Sequence, residues 1–469
     1  MTHKLSTLMT RFTPLALALP LALAGCASMA PKYERPAAPV APAFPALAMS
    51  SASTEAASSI AWQRFFADAR LKQLIELALT NNRDLRVAIL NIEQARAQYQ
   101  IRRADRLPSL NASVSGSRVP GKDDSINSTY TAGFGVSSFE LDLFGRVRSL
   151  SDAGLAQYLA SEEARKSTHI SLVASVANAY LSLLADEELL GLTQKTLAAR
   201  EESLKLIQLK YDNGVVSKLD LQQGLSLLDS ARVVLAQQQR QRAQDLNLLT
   251  LLVGQTLPAG PDTSTTLAAM SLSELPAGLP SDLLTVRPDI RAAEQQLIAA
   301  NANIGAARAA FFPRITLTGS AGSASSELSG LFKSGSYGWS FAPQMVLPIF
   351  DYGRNNANLG SAKAGRDIAV AQYEKSVQTA FREVSDALAG QATFGEQLRA
   401  QRSVAEAEAE RFKLSDLRYR SGAASYLDLL DAQRSLFSAE QAAVQANLQR
   451  LQNQVTLYRV LGGGWTAPQ

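Results

Sequence analysis

Catalysis needs nucleophiles, acids, bases or metal ligands at workable spacing, and this chain of 469 residues carries few of them. It has one cysteine, Cys26, and two histidines, His3 and His169. A disulfide framework is excluded, because one cysteine cannot pair within the chain. Metal sites and Ser-His-Asp or Cys-His catalysis need partners that are missing here. His169 lies in a helical stretch with no thiol to join it, and reads as a solvated or interfacial side chain. Carboxylates are plentiful, and one spacing stands out. Leu427-Asp428-Leu429-Leu430-Asp431 puts two of them three residues apart, on one helix face. Around a narrow opening such a pair would draw cations in; alone on a surface it would be an ordinary acidic patch. Neither reading makes an enzyme, and no cofactor or metal is expected.

Composition narrows the field further. The chain is 46% hydrophobic and 19% charged, which is too apolar for disorder. Its net charge of +4 belongs to no basic block, so nucleic acid is not an expected partner. Lys4 and Arg11 precede the apolar run Phe12–Leu23, which ends in Leu23-Ala24-Gly25-Cys26. That is a secretory signal over residues 1–25, too short for a transmembrane helix. Leu-Ala-Gly-Cys also resembles the bacterial lipobox. The resemblance implies that Cys26 is diacylated and becomes the mature N-terminus, the covalent lipid being the only attached group. Ala27 follows in place of an inner-membrane-retaining Asp, which implies the outer membrane.

The elements that position these residues come in duplicate. At an offset of 205, Asp84-Leu85-Arg86 meets Asp289-Ile290-Arg291 and Leu107-Pro108 meets Phe312-Pro313. At an offset of 208, Phe144-Gly145-Arg146 meets Tyr352-Gly353-Arg354, and Tyr211-Asp212-Asn213-Gly214 meets Tyr419-Arg420-Ser421-Gly422. Leu219-Asp220-Leu221 then meets Leu427-Asp428-Leu429, and Gly254 meets Gly462. A register held over more than a hundred residues marks a tandem duplication. After an extended segment, 26–65, the repeats span 66–254 and 281–462. A proline-bearing linker, 255–280, joins them, and a tail, 463–469, follows.

Each repeat predicts the same order. A helical stretch (66–106, 281–311) leads to a pair of strands, 109–118 with 129–143 and 314–324 with 337–350. A very long helix (146–211, 354–419) then reaches a tip turn, 211–220 or 419–428, and a return helix runs back. Ile315, Leu317 and Gly319 alternate with Thr316, Thr318 and Ser320, the period of a strand with two unlike faces. Roughly ten residues suit a tilted transmembrane strand. The apolar run Ile170–Ala185 is broken by polar residues and reads as buried helix packing. Four strands cannot close a barrel, and an open edge in lipid leaves backbone groups unsatisfied. Several copies must therefore pool their strands, and three copies giving twelve suit a water-filled interior.

At this point the motifs are recognisable. The mature chain resembles the outer membrane factor family, the TolC-type exit ducts of tripartite efflux pumps, in its lipoprotein branch. The resemblance rests on Pro31-x-Tyr33-x-Arg35-Pro36, Trp62-x-x-Phe65-x-x-x-x-Leu71-x-x-Leu74-Ile75 and Phe139-Glu140-Leu141-Asp142-Leu143-Phe144-Gly145-Arg146. Further motifs are Arg287-Pro288-Asp289-Ile290-Arg291, Ala310-Phe311-Phe312-Pro313, Leu347-Pro348-Ile349-Phe350-x-x-Gly353 and Leu461-Gly462-Gly463-Gly464-Trp465. It implies a homotrimer whose twelve-stranded β-barrel, four strands from each chain, continues into a periplasmic α-helical barrel. The linker would lie in a small equatorial domain.

The resemblance also assigns roles. Gly214, Val215, Ser217, Gly422, Ala423 and Ser425 would form tips that meet a periplasmic adaptor protein, itself joined to an inner-membrane drug/proton antiporter or another pump. Asp428 and Asp431 match aspartate rings at the periplasmic gate, and Asp220 and Tyr419 match a latch between helices. Ala424 stands where some members carry an arginine, so that latch is expected to be built differently. The function implied is passive exit of drugs or other small molecules through an outer membrane duct. Alternatives are a duct for protein secretion or metal-ion export, the latter disfavoured by the scarcity of Met and His. A lipid-anchored periplasmic coiled-coil adaptor would explain the signal and the helices but not the strands or the duplication.

Overall fold

The computed structural model describes residues 28–42, 44, 57–121, 125–258, 266–273, 275 and 280–465. The signal segment 1–25, the acylation candidate Cys26 and the end of the tail lie outside these residues. In the first repeat, α1 (Trp62–Phe65), α2 (Ala69–Asn81) and α3 (Arg83–Ala104) precede β1 (Leu110–Pro120) and β2 (Ile126–Leu141). Then come α4 (Arg146–Asp212) and α5 (Lys218–Val253). The second repeat has α6 (Pro280–Val286), α7 (Pro288–Ala309), β3 (Arg314–Ser325), β4 (Tyr337–Val346), α8 (Arg354–Arg420) and α9 (Tyr426–Val460). The long helices α4 and α8 have 67 residues each, about 100 Å at the usual helical rise.

Several boundaries correct the sequence reading. The stretch 66–106 is not one helix. Asn82 is extended, and its side chain accepts from Leu85 N–H at 2.9 Å, so α3 starts afresh there. Pro288 likewise separates α6 from α7, since a proline disfavours helical backbone before it. The segment 26–65 is helical, not extended, at Trp62–Phe65. Strand β1 runs two residues past 118, and β2 begins at Ile126 rather than 129. β2 stops at Leu141, short of 143, because the Asp142 side chain accepts from Arg148 N–H at 2.7 Å and caps α4. β4 stops at Val346, short of 350, where Pro348 removes a ladder donor. The turns proper are shorter than 211–220 and 419–428, because the helices run on to Asp212 and Arg420.

The chain divides into two compact units that do not follow the repeats. Among the described residues, one takes those within 28–38, 90–162 and 292–375, and the other those within 39–89, 163–291 and 376–465. The first unit holds a four-stranded antiparallel sheet in the order β1-β2-β3-β4, with β1 and β4 as its edges. The registers sort its side chains sharply. Val114, Phe134, Val136, Leu317, Tyr337, Trp339 and Phe341 share one face, with Val114 80% and Trp339 74% exposed. The other face carries Asn111, Ser113, Ser115, Thr131, Gly133, Thr318, Ser320, Gly322 and Ser340. Hydroxyl pairs knit it across the strands, Ser115 with Thr131 at 2.7 Å and Ser320 with Ser340 at 2.8 Å. An apolar face left bare beside a neutral hydroxyl face is what a barrel between lipid and water requires.

The same unit explains two motifs. Tyr33 donates to Glu294 at 2.8 Å, and the Arg35 guanidinium grips both its oxygens at 2.7 and 2.9 Å, fastening the N-terminal strap to α7. Glu140, at the end of β2, is held by Arg146 at 2.5 Å and Arg314 at 2.7 Å, which ties two strand ends to the start of α4.

The second unit is a helical body with its own core. Phe65 stacks on Tyr458 with ring centroids 4.0 Å apart, and Phe65, Phe66, Leu71 and Ile75 are fully buried. Arg287 is buried between Asp289 at 3.0 Å and Glu383 at 2.9 Å, and donates to the Val460 carbonyl at 3.2 Å. Two-thirds of the most apolar window of α4 is buried, as expected of a packed helix (67%). His169 lies edge-on to Trp465 at 5.0 Å, and burial, with Arg165 beside it, pushes its pKa down to about 4.

Candidate functional site

The two tips are built by the same local rules. Gly214 and Gly422 take left-handed backbone, φ +69° and +76°, which lets each long helix stop. Val215 N–H closes on the Lys210 carbonyl at 2.8 Å, and Ala423 N–H on the Arg418 carbonyl at 2.8 Å. Two residues later a serine restarts the helix. Ser217 and Asp220 form one reciprocal capping box, and Ser425 and Asp428 form the other. The turns project outward: an added Cβ at Gly214 or Gly422 would meet nothing within 4 Å. Val215, Leu219 and Leu427 are 69%, 66% and 54% exposed, so each tip offers small and aliphatic groups to solvent.

Behind the tips the hairpins share an apolar cluster of Ile207, Leu221, Leu227, Tyr426, Leu429 and Leu430, with Leu204, Val216, Phe412 and Tyr419 against it. The predicted gate residues surround this cluster, but the structure does not join Asp220 to Tyr419. Asp220 accepts from the Ser217 hydroxyl at 2.7 Å and the Ser217 N–H at 3.0 Å. The Tyr419 hydroxyl instead accepts from Lys210 at 3.3 Å, with that ammonium 4.5 Å from the ring centroid.

Asp428 and Asp431 are both exposed on α9, yet their surroundings differ. Asp428 is engaged in its capping box, accepting from the Ser425 hydroxyl at 2.9 Å. Asp431 is ion-paired with Arg411 across the hairpin, and Arg411 also meets Glu408 at 3.1 Å. Sequence reasoning missed Arg411. Its signal was available, since Arg411 and Asp431 lie at nearly equal distances on either side of Gly422, where antiparallel helices bring residues opposite. In the first repeat the matching positions are Ser203 and Gln223, which cannot form an ion pair.

Farther from the tip, Asp186 on α4 stands beside Asp245 on α5, flanked by the Arg242–Glu187 pair at 2.6 Å. Burial, with Asp245 adding to it, pushes the Asp186 carboxyl up to about 7.

A sheet with one lipid-compatible face, helices of about 100 Å and duplicated tips define an outer-membrane duct. Comparison with known proteins agrees. The model of the outer membrane efflux protein family matches residues 74–255 and again 279–463, once for each repeat. The chain is 50% identical over 461 residues to the probable efflux pump outer membrane protein TtgC of Pseudomonas putida, covering 96% of this chain and 95% of that one. It is 48% identical over 462 residues to the outer membrane protein OprJ of Pseudomonas aeruginosa, covering 96% and 95%. The open-state MtrE outer membrane channel of Neisseria gonorrhoeae superposes with a TM-score of 0.87 at 43% identity, covering 93% of this chain and 98% of that one. The chain belongs to the outer membrane efflux protein family. It is an outer membrane channel of an efflux system, with a periplasmic tunnel.

Proposed function

We propose that three copies of this chain pool their sheets into a twelve-stranded barrel and act as the passive, non-enzymatic exit duct of a tripartite pump. The single observation that carries this reading is the sheet itself. It has two unpaired edges, one bare aromatic and aliphatic face, and one face of hydroxyls and glycines. In lipid its edges must pair with further copies, and the hydroxyl face then lines a neutral, wet interior. Cys26 carries the acyl anchor in the inner leaflet, and no cofactor takes part. The tips, at Gly214, Val215, Ser217, Gly422, Ala423 and Ser425, receive the helical hairpins of a periplasmic adaptor. Small residues there permit close helix approach. The cargo is small molecules handed over by an inner-membrane antiporter or another pump, and relatives named for antibiotic, toluene and solvent efflux support that class.

The gate lies just inside the tips and opens by rearrangement of the hairpins, with Asp428 and Asp431 repeated threefold at the mouth. The test combines mass and position. The detergent-purified protein should have the mass of a trimer. A photo-crosslinking residue at Val215 or Leu427 should capture the adaptor, whereas one at Trp339, on the lipid face, should not. A monomer with intact β-structure, or equal capture from both positions, would overturn the reading.

A further inference from the structure

A polar contact, Lys210 to Tyr419, links the two hairpins of each chain near the tips, but Asp220 takes no part in it. Asp220 is held by its own cap, and Tyr419 is met by Lys210. A second, buried side chain crosses from the second hairpin into the first. Tyr426, the first residue of α9, is only 6% exposed, although it stands one position after the tip cap Ser425. It enters the cluster that contains Ile207 of α4 and Leu221 of α5.

Its phenol reaches the one place on α5 without a side chain. A Cβ built on Gly224 would lie 3.0 Å from the Tyr426 hydroxyl oxygen and 3.2 Å from a Leu204 methyl. A glycine inside a 36-residue helix destabilises it relative to alanine. Here the cost has a return, because the missing methyl is the slot. The Ser203 hydroxyl stands beside the phenol, and the Tyr419 ring packs on its other side at 5.5 Å.

The duplication sharpens the case. At the 208-residue offset, Tyr426 corresponds to Lys218 and Gly224 to Ala432. Lys218 is exposed, and alanine leaves no slot. Plug and slot therefore exist in one direction only, from the second hairpin into the first.

We infer that Tyr426 seated against Gly224 is the tie that holds the hairpins together at the periplasmic mouth, and so positions the gate. The inference rests on the gate reading above and assigns its lock to a residue pair that the sequence comparison of the repeats did not single out. Withdrawal of the phenol frees α9 to swing from α4 and α5, which is the motion an adaptor would have to drive.

The experiment is single-channel conductance of the full-length trimer in planar bilayers, with heat-sensitive trimer mobility as the check on assembly. Tyr426→Ala empties the slot and Gly224→Val fills it, so both should raise conductance several-fold. Tyr426→Phe keeps the ring and should stay close to the parent. Asp220→Ala with Tyr419→Phe should raise conductance less than Tyr426→Ala does. If that double variant opened the channel and neither Tyr426→Ala nor Gly224→Val did, the inference would be overturned and the gate would stand. If none of them changed conductance, both the inference and the placement of the gate at the tips would fall.

Discussion

At Asp186, burial of a carboxyl beside Asp245 links folding to pH. Its carboxyl holds a proton up to about 7 in the folded chain, against 3.8 for the ordinary group. Folding therefore favours the protonated form. The stability linked to Asp186 is fully present below about pH 4 and is lost as pH rises through 7. Asp186→Asn should raise the temperature of trimer dissociation at pH 8, because it removes a charge that burial disfavours. The gain should vanish near pH 4; an equal gain at both pH values would contradict the raised Asp186 pKa. His169 works in the opposite sense. Its pKa is depressed from 6.5 to about 4, so its contribution is lost as pH falls through that range. If Asp431 rings the mouth as proposed, its ion pair with Arg411 sets how much of its charge a cation meets. Trivalent cations added on the periplasmic side should block conductance, and Arg411→Gln should lower the blocking concentration by uncovering the carboxylate. Replacing Asp428 and Asp431 together by Ala should relieve the block and leave the trimer intact. A block that the Arg411 change left untouched would place this ion pair away from the permeation path.

At the scale of the element, the tips and the strand ends carry the design. A serine cap is worth about 1 kcal/mol to the helix it starts. Ser425→Ala should therefore fray the first turn of α9, where Tyr426 is seated. Faster amide exchange at Tyr426–Leu430 should report it, without change at Leu451–Val460. The strand ends depend on Glu140, whose carboxylate is gripped by two guanidinium groups. Glu140→Ala leaves Arg146, half-buried, without its acceptor and should weaken heat-resistant trimers more than Asp351→Ala, which removes only a cap. The tips were legible in the sequence because glycine followed by serine and aspartate leaves few conformations, and because both repeats spell the same pattern. The strands were legible by alternation, with ends misplaced by a few residues where Asp142 and Pro348 overrule it. Pro288 did signal the break at Arg287 and periodicity masked it, whereas the break at Asn82 was not legible, since helical periodicity runs through it. Nor was the seating of Tyr426 on Gly224. That contact joins positions 202 residues apart, and an isolated helix glycine has no local signature.

For the whole molecule, the duplication explains both symmetry and its breaking. Two copies of one hairpin supply matching tips, so the proposed ring of three chains would offer six similar docking places to the proposed adaptor. The copies then diverged behind the tip. Only the second hairpin has the Arg411–Asp431 pair and the Tyr426 plug, and only the first has the Gly224 slot. A duct built this way can keep a uniform docking rim while its closure is asymmetric within each chain. On the hydroxyl face of the sheet the charges Glu140 and Arg314 pair with each other at the strand ends, so charge selectivity should be set at the periplasmic mouth rather than in the barrel. The most direct test is the ionic current carried by the purified full-length protein in a planar bilayer. The account predicts discrete current steps from trimers, small while the tips are closed and blocked by trivalent cations from the periplasmic side alone. Trimers that insert yet pass no more current than bare lipid, or that are blocked equally from both sides, would contradict it.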